Sequence, residues 1–236
     1  MSLLRQATKR ILTTVVPTRW LLTRGPIQTG AARPRLALTF DDGPHPIHTP
    51  QLLEVLNANG LAATFFVVGQ EAERYPELIR RMAAEGHELA NHTWSHGDPS
   101  QTSPRRFLDE VQKTDELIRE LTGTAPAAMR PPRGELNAAK LWGLWSRGKT
   151  VALWNVDPRD YRMTSEKEMA AWTTGYEPCD GDVVLMHDNH PWAVGAIETM
   201  IDRGLFDRFQ AVTISALARR RTPAVAAPSQ TLASIP

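Results

Sequence analysis

Short apolar runs alternate with longer amphipathic segments along the middle of the chain. Strand-like runs occur at 36–40, 63–68, 87–91, around Met129, 150–154, 182–186 and 209–214. Helix-like segments separate them at 50–59, 76–85, 104–121, 137–146, 166–174 and 192–202, and a weak one starts at residue 215. Three of these segments begin near Pro and end near Gly, as helices commonly do. Seven strand-then-helix units predict a parallel sheet with helical crossovers.

The spacing of these units bears on the domain count. The units occupy about 180 of the 236 residues, and no linker or internal repeat interrupts them. This density favours one compact α/β barrel over two small domains. A doubly wound, open sheet is the alternative architecture.

Charge is spread unevenly along the sequence. Residues 1–40 carry seven basic and no acidic side chains, and 208–236 carry four Arg and no acid. The interval 41–207 carries 16 bases and 26 acids, a net charge of −10. An acidic core argues against nucleic-acid binding, whereas the basic ends suit phosphate or membrane surfaces. Cys179 is the only cysteine, which excludes a disulfide framework and a multi-cysteine zinc site.

The two ends read differently from the core. Residues 1–34 form a basic segment in which one helical side is apolar and the other basic (Leu4, Ala7, Ile11, Leu12 and Val15 against Arg5, Lys9 and Arg10). A helix packed on the domain and a membrane-surface anchor are both open, with a mitochondrial transit peptide as a third option. The apolar core 11–16 is short and no A-x-A site follows, so we expect no signal peptide and a cytoplasmic location, with the inner membrane surface as an option. Residues 219–236 lack periodicity and predict a disordered tail.

Polar clusters follow five of the predicted strands. The first, TFDDGP at 39–44, presents two adjacent carboxylates, of which one can bind a metal while the other acts as a base. The second contains His92 and His96, which can share one metal if the segment is a helical turn. With Asp42 they make three ligands and an open position, typical of a catalytic divalent metal.

The other three clusters supply an arginine and a candidate acid. Residues 129–134 present Arg130 from a turn fixed by two prolines, which leaves the amide of Arg133 free to point at a ligand. Residues 154–161 contain Asp157 and Asp160, and His187 ends a buried strand as a candidate general acid. Each cluster alone fits an ordinary loop. Together they gather at the C-terminal ends of strands, where βα barrels place active sites, and this favours an enzyme.

At these residues the sequence resembles the polysaccharide deacetylase family, also called the NodB-homology domain or carbohydrate esterase family 4. The resemblance covers about residues 35–218, flanked by the segments 1–34 and 219–236. The matching motifs occur in family order: TFDDGP at 39–44, H-S/T-x-x-H at 92–96, R-P-P-x-G at 130–134, D-x-x-D-W at 157–161 and L-x-H at 185–187. The resemblance implies a distorted (β/α)₇ barrel in a single domain.

It also implies a role for each matched residue. Asp41 resembles the catalytic base, and the zinc ligands, for which Co²⁺ or Ni²⁺ can substitute, correspond to Asp42, His92 and His96. Arg130 resembles the arginine that orients the base. His187 resembles the general acid and Asp160 the carboxylate that tunes it. The implied substrate-binding residues are Arg133, Asp157, Tyr161 and Leu185, the last in a pocket for the acetyl methyl group.

Two positions depart from the family pattern. Tyr161 stands where Trp is usual, and Arg133 stands where an aromatic or small residue is common. The family's oxyanion donor is the backbone N–H at position 133, so the Arg side chain leaves that donor in place. We expect the side chain to favour an anionic substrate.

The predicted activity is metal-dependent removal of the N-acetyl group from an amino sugar in a polysaccharide or lipid-linked glycan. Asp41 would accept a proton from water and His187 would protonate the leaving amine. Deformylation and O-acetyl ester hydrolysis use the same machinery and stay open. A carbohydrate-binding domain without activity would be expected to lack the base or a ligand, and none is missing. We expect the protein to act as a monomer.

Overall fold

The computed structural model describes residues 16–27 and 33–219. The described part forms eight strands: β1 Leu21–Leu22, β2 Arg35–Asp41, β3 Ala63–Val67, β4 Glu88–Asn91, β5 Ala128–Met129, β6 Thr150–Ala152, β7 Asp182–His187 and β8 Gln210–Ala211. The helices are α1 His48–Ala58, α2 Gly69–Arg74, α3 Pro76–Ala84, α4 Pro104–Thr122, α5 Ala138–Trp145, α6 Glu166–Gly175, α7 Trp192–Asp202, α8 Leu205–Arg208 and α9 Ile214–Ala218.

All the strand pairs are parallel, in the order β1-β6-β5-β4-β3-β2-β7, with β8 beside the start of β2. The predicted α/β class and single domain are confirmed. The sheet does not close into a complete ring. Past the end of β6, Val156 makes one parallel bridge to Val184 of β7.

Local sequence explains where the long helix α4 begins and ends. The Ser103 hydroxyl accepts a hydrogen bond from the Arg106 amide, and Pro104 occupies the first helical position. Gly123 ends the helix at φ 77°, the left-handed conformation that glycine adopts without steric cost. The predicted segment 104–121 therefore matches this helix to one residue.

Two apolar layers lie on opposite faces of the sheet. On one face, large side chains of β2 and β3 pack against α1 and α7. On the other, each strand from β1 to β7 contributes one residue, most of them small: Leu22, Ala37, Phe66, Ala90, Ala128, Ala152 and Val183. These small residues leave room for Val212, Ile214 and Leu217 of the C-terminal segment, which belong to the same apolar cluster. The polar side chains described below continue this face toward the C-terminal ends of the strands.

Four features differ from the sequence-based expectation. Strand β1 lies in the basic N-terminal segment and pairs with β6. The run predicted at 209–214 contains only two strand residues, because Thr213 caps α9. Helices α2 and α8 and the short 3₁₀ turns Pro132–Gly134 and Asp160–Arg162 were not predicted.

Several expectations concern parts of the chain that the structure leaves undescribed. The proposed helical stripe of residues 1–15 lies outside the described residues, and so does the predicted tail beyond Arg219. Within the described ranges, no helix combines the length and apolarity needed to cross a bilayer.

Candidate active site

Polar residues gather at the C-terminal ends of the parallel strands, as predicted. In the register between β2 and β7, Thr39 lies beside Leu185 and Asp41 beside His187. Side chains two apart on a strand share a face, so these four point to the same side of the sheet. Asp41 and His187, the proposed base and acid, are thus direct neighbours across two strands.

Asp42, His92 and His96 converge on one point. Oδ1 of Asp42 lies 3.4 Å from Nε2 of His92 and 3.3 Å from Nε2 of His96. The three potential ligand atoms all lie within 4.8 Å of one another, the only such group among the described residues. Oδ1 of Asp42 is buried and has no hydrogen-bond partner. A buried carboxylate oxygen facing two imidazole nitrogens fits a divalent metal ion.

Burial lowers the pKa of His92, but the carboxylates of Asp41 and Asp42 raise it above its usual value. Nδ1 of His92 lies 2.7 Å from the carbonyl oxygen of Arg130, which fixes Nδ1 as the donor and leaves Nε2 as the free ligand atom. Burial, followed by the charge of His92, lowers the pKa of His96 against the opposing effect of Asp42 and Asp41, which favours the neutral imidazole that binds a metal. Burial alone would raise the pKa of Asp42, but the imidazoles of His92 and His96 lower it below its usual value.

The backbone conformation that brings His92 and His96 together differs from the predicted helical turn. The sequence predicts a shared metal if residues 92–96 form a helical turn, but these residues are not helical. Instead, Asp42, Thr93 and His96 have φ angles of 75°, 68° and 52°. Positive φ is rare for a β-branched residue such as Thr93 and is typical of functional sites. The Asn91 side chain stabilises this bend by accepting a hydrogen bond from the Thr93 amide at 2.8 Å.

Asp41 is held by a buried arginine. Oδ1 accepts a hydrogen bond from Nη1 of Arg130 at 2.6 Å, and the guanidinium is fully buried. Arg130 also donates to Thr39 Oγ1 and to the carbonyl oxygens of Ala152 and Leu153. Four partners fix the guanidinium and orient the Asp41 carboxylate. Oδ2 of Asp41 lies 3.6 Å from Nε2 of His92, so this oxygen faces the three potential metal ligands.

Asp160 and His187 form the second buried pair. Oδ1 of Asp160 lies 2.7 Å from Nδ1 of His187, and Oδ2 accepts the His187 amide at 2.7 Å. Burial lowers the pKa of His187, but the hydrogen bond and charge of Asp160, with Asp41 and Asp42 beyond, raise it to about 9. Since Nδ1 is committed to Asp160, Nε2 is the atom that can transfer a proton.

Of the predicted substrate-binding residues, Tyr161 and Leu185 lie near His187, whereas Arg133 and Asp157 bond to other residues. The Tyr161 ring is 46% exposed and stands edge-on to His187 at 5.5 Å, and Leu185 is buried on β7. Arg133 is exposed, but its guanidinium donates to Asp98 Oδ2 at 2.9 Å, so its charge is partly neutralised. The Asp157 carboxylate accepts the Arg159 amide in a local turn. Within the described residues, no hydrogen bond or ion pair joins Asp157 to Asp42, His92 or His96.

Sequence reasoning missed residues that support the turn carrying the metal ligand. The Asp188 carboxylate accepts a hydrogen bond from Thr49 Oγ1 at 2.6 Å and lies against Gly43. Burial raises the pKa of Asp188 to about 7, with Asp42 adding to the effect and Thr49 opposing it. Asn189 Nδ2 lies 3.4 Å from Asp42 Oδ2. The Asp next to His187 was the available signal, but the sequence does not show that it reaches Gly43.

Replacing Gly43 by Ala is expected to weaken metal binding by about 10- to 100-fold, the range for groups that orient ligands. A Cβ at this position would lie 2.1 Å from Asp188 Oδ2, so the turn that carries Asp42 must shift. Titration of the protein with Zn²⁺ against a chelating dye measures the effect. Gly195→Ala in α7 is the matched control because its Cβ meets nothing within 4 Å. Equal affinity in both variants would contradict this role for Gly43.

Comparisons with known proteins match the same family that the sequence motifs resemble. The model of the polysaccharide deacetylase family matches residues 29–152. A chitooligosaccharide deacetylase of Bradyrhizobium sp. (strain ANU 289) is 42% identical over 156 residues, covering 65% of this chain and 70% of that protein. The peptidoglycan-N-acetylmuramic acid deacetylase PdaC of Bacillus subtilis (strain 168) is 37% identical over 183 residues, or 77% of this chain. The chain spans 38% of the length of PdaC.

The fold agrees with these sequence matches. The solved structure of peptidoglycan deacetylase PdaC from Bacillus subtilis superimposes with a TM-score of 0.70 at 35% identity, covering 78% of this chain and 90% of that one. The family model matches more than half of the chain. The matched residues include Asp41, Arg130 and the three potential metal ligands Asp42, His92 and His96. The chain therefore belongs to the polysaccharide deacetylase family.

Proposed function

We propose that this protein hydrolyses the N-acetyl group of an amino sugar within a glycan and releases acetate and a free amine. One observation carries the proposal: two buried pairs, Asp41–Arg130 and Asp160–His187, lie at the same edge of the sheet as three side chains suited to a divalent metal. A base and an acid at one metal site are the groups that amide hydrolysis needs. The relatives named for peptidoglycan and chitooligosaccharides support an N-acetylated glycan as substrate.

Asp42, His92 and His96 would hold the metal. A divalent ion bound there would supply Lewis-acid polarisation of the substrate carbonyl and would lower the pKa of a water molecule. Two imidazoles and one carboxylate with an open position favour Zn²⁺, and Co²⁺ or Ni²⁺ suit the same donors.

The chain's own residues then move the protons. Asp41, fixed by Arg130, accepts a proton from the water whose oxygen bonds to the carbonyl carbon. The Arg133 amide would donate a hydrogen bond to the oxyanion. Nε2 of His187 gives its proton to the nitrogen as the carbon–nitrogen bond breaks, because an amine cannot leave as an anion. Tyr161, edge-on to His187, would line the pocket beside the acyl group together with Leu185.

The direct test is acetate release from chitooligosaccharides and from peptidoglycan, with and without added Zn²⁺, Co²⁺ or Ni²⁺. We expect acetate release that is abolished by a chelator and restored by metal. Measuring formate in the same samples, and acetate from acetylated xylan, tests the deformylase and esterase alternatives. Formate without acetate, or acetate from xylan alone, would contradict the proposal.

The Asp160–His187 pair makes the activity depend on pH. His187 is protonated below its pKa of about 9 and can act as an acid, so kcat/KM should fall as the pH rises through that value. Asp160→Asn removes the charge that raises this pKa, so the basic limb should move down by at least about one pH unit. Asp202→Asn, at the exposed end of α7, is the control and should leave the profile in place. An unmoved limb in Asp160→Asn would contradict the assignment of His187 as the acid.

A further inference from the structure

An apolar cleft of about 410 Å³ lies outside the candidate active site. Its lining comes from the segment before β1 and from the end of α5: Val16, Pro17, Trp20, Trp142, Trp145 and Ser146. Trp20 directly precedes β1, and Ser146 lies shortly before β6. Because all the strands are parallel, this is the N-terminal edge of the sheet, opposite the edge that carries Asp41 and His187. At about 3.3 Å per residue, the seven residues of β2 separate the two edges by roughly 20 Å.

Tryptophans form the walls of this tryptophan cleft. Nε1 of Trp145 donates a hydrogen bond to the Trp20 carbonyl at 3.0 Å, and the two rings lie 6.2 Å apart. The hydrogen bond fixes the Trp145 indole, and the Trp20 ring packs against it. Trp142 stands outside them and is 72% exposed, the largest exposed fraction among the large hydrophobic side chains described. Tryptophan favours the boundary between water and an apolar phase.

The segments around the cleft are basic. The described segments that contribute its lining, residues 16–27 and 136–149, contain five Lys and Arg and no Asp or Glu. Lys140 and Lys149 are buried, so Arg19 and Arg147 carry the surface charge beside the cleft. Arg19 lies over the Trp20 ring at 5.6 Å, and Arg147 is held by the carbonyl of Gly143 at 3.0 Å.

We propose that the tryptophan cleft docks the protein on an anionic lipid bilayer. Trp142 enters the headgroup boundary, while Arg19 and Arg147 contact lipid phosphates. Charge argues against residues 1–15 as the occupant, because that segment carries Arg5, Lys9 and Arg10 and would meet like charge. The exposed indole argues against a soluble polyanion, which offers no apolar phase. In this orientation the candidate active site faces away from the lipid.

The test is co-sedimentation of the full-length protein with phosphatidylcholine vesicles, with and without phosphatidylglycerol. We expect binding only to the anionic vesicles, and weaker binding as salt rises. Trp142→Ala should weaken binding at least about fivefold, and Trp142→Phe should keep most of it. Arg19→Gln and Arg147→Gln should each weaken it by about fivefold.

Matched controls lie at the opposite edge. Ile47 is 60% exposed just before α1, and Arg105 is exposed in the first turn of α4. Ile47→Ala and Arg105→Gln should bind vesicles like the unaltered protein. Acetate release from a soluble chitooligosaccharide and the thermal unfolding midpoint should both be unchanged in Trp142→Ala, which separates docking from catalysis and from misfolding.

Three results would overturn the proposal. The first is equal vesicle binding by Trp142→Ala and the unaltered protein. The second is an equal loss of binding in Ile47→Ala, which would put the contact on another face. The third is binding to soluble heparin at the same strength as to vesicles and without dependence on Trp142, which would indicate a polyanion site.

Discussion

Asp41→Asn is expected to lower kcat by about three orders of magnitude, within the range for loss of a general base, while the protein still binds one divalent ion. The amide oxygen can still accept the hydrogen bond from Arg130, so the buried guanidinium keeps its partner. Asp41 lies outside the Asp42–His92–His96 group. The loss should therefore fall on turnover and leave metal content unchanged.

The neighbouring substitution should have the opposite signature. Asp42→Asn removes the carboxylate whose Oδ1 faces both imidazoles, so metal affinity should fall by at least about 100-fold, the upper range for groups that merely orient ligands. Asn tolerates the positive φ of 75° at this position, so the turn itself should survive. Elemental analysis after dialysis, together with kcat, distinguishes the two variants. If Asp41→Asn loses the metal and Asp42→Asn keeps it, the two roles are reversed.

The sequence predicted the parts of the fold that are coded locally. Apolar runs such as 36–40 and 63–68 became the central strands β2 and β3, and capping residues marked the ends of α4. Strand β1 could not be predicted, because two residues carry no periodicity and their pairing with β6 is a tertiary contact. Thr93 gave no sign of its left-handed backbone, since propensity argues against that conformation for a β-branched residue.

In the candidate site too, local sequence motifs were predictable and tertiary contacts were not. The residue types and their order predicted the cluster of Asp42, His92 and His96, which the structure brings together. The partner of Arg133 could not be predicted from the sequence. Asp98 lies in the loop after β4, 35 residues before Arg133, and meets it only through the tertiary fold. Its pairing changes the expectation for substrate, since a guanidinium that already has a carboxylate partner binds a further anion less strongly. A preference for acidic glycans stays a prediction.

Arg130 connects the sheet to the candidate site. Its guanidinium lies 4.0 Å from the Phe66 ring centroid and 5.4 Å from that of Trp154, and it donates to Asp41 and to backbone carbonyls. Arg130→Met fills a similar volume but leaves the Asp41 carboxylate buried without its partner. Breaking a buried ion pair in this way should lower the free energy of unfolding by about 3–5 kcal/mol, measured by urea denaturation.

A second substitution separates stability from catalysis. In the Arg130→Met, Asp41→Leu double variant no unpaired charge remains, so much of the lost stability should return, because apolar replacement of a buried ion pair is often neutral. Activity should not return, since the base is absent. Arg130→Lys, which keeps a charge but cannot make the forked contact, should be intermediate in both respects. An Arg130→Met protein within about 1 kcal/mol of the unaltered one would show that the pair is not a structural element, since that is the range of an exposed ion pair.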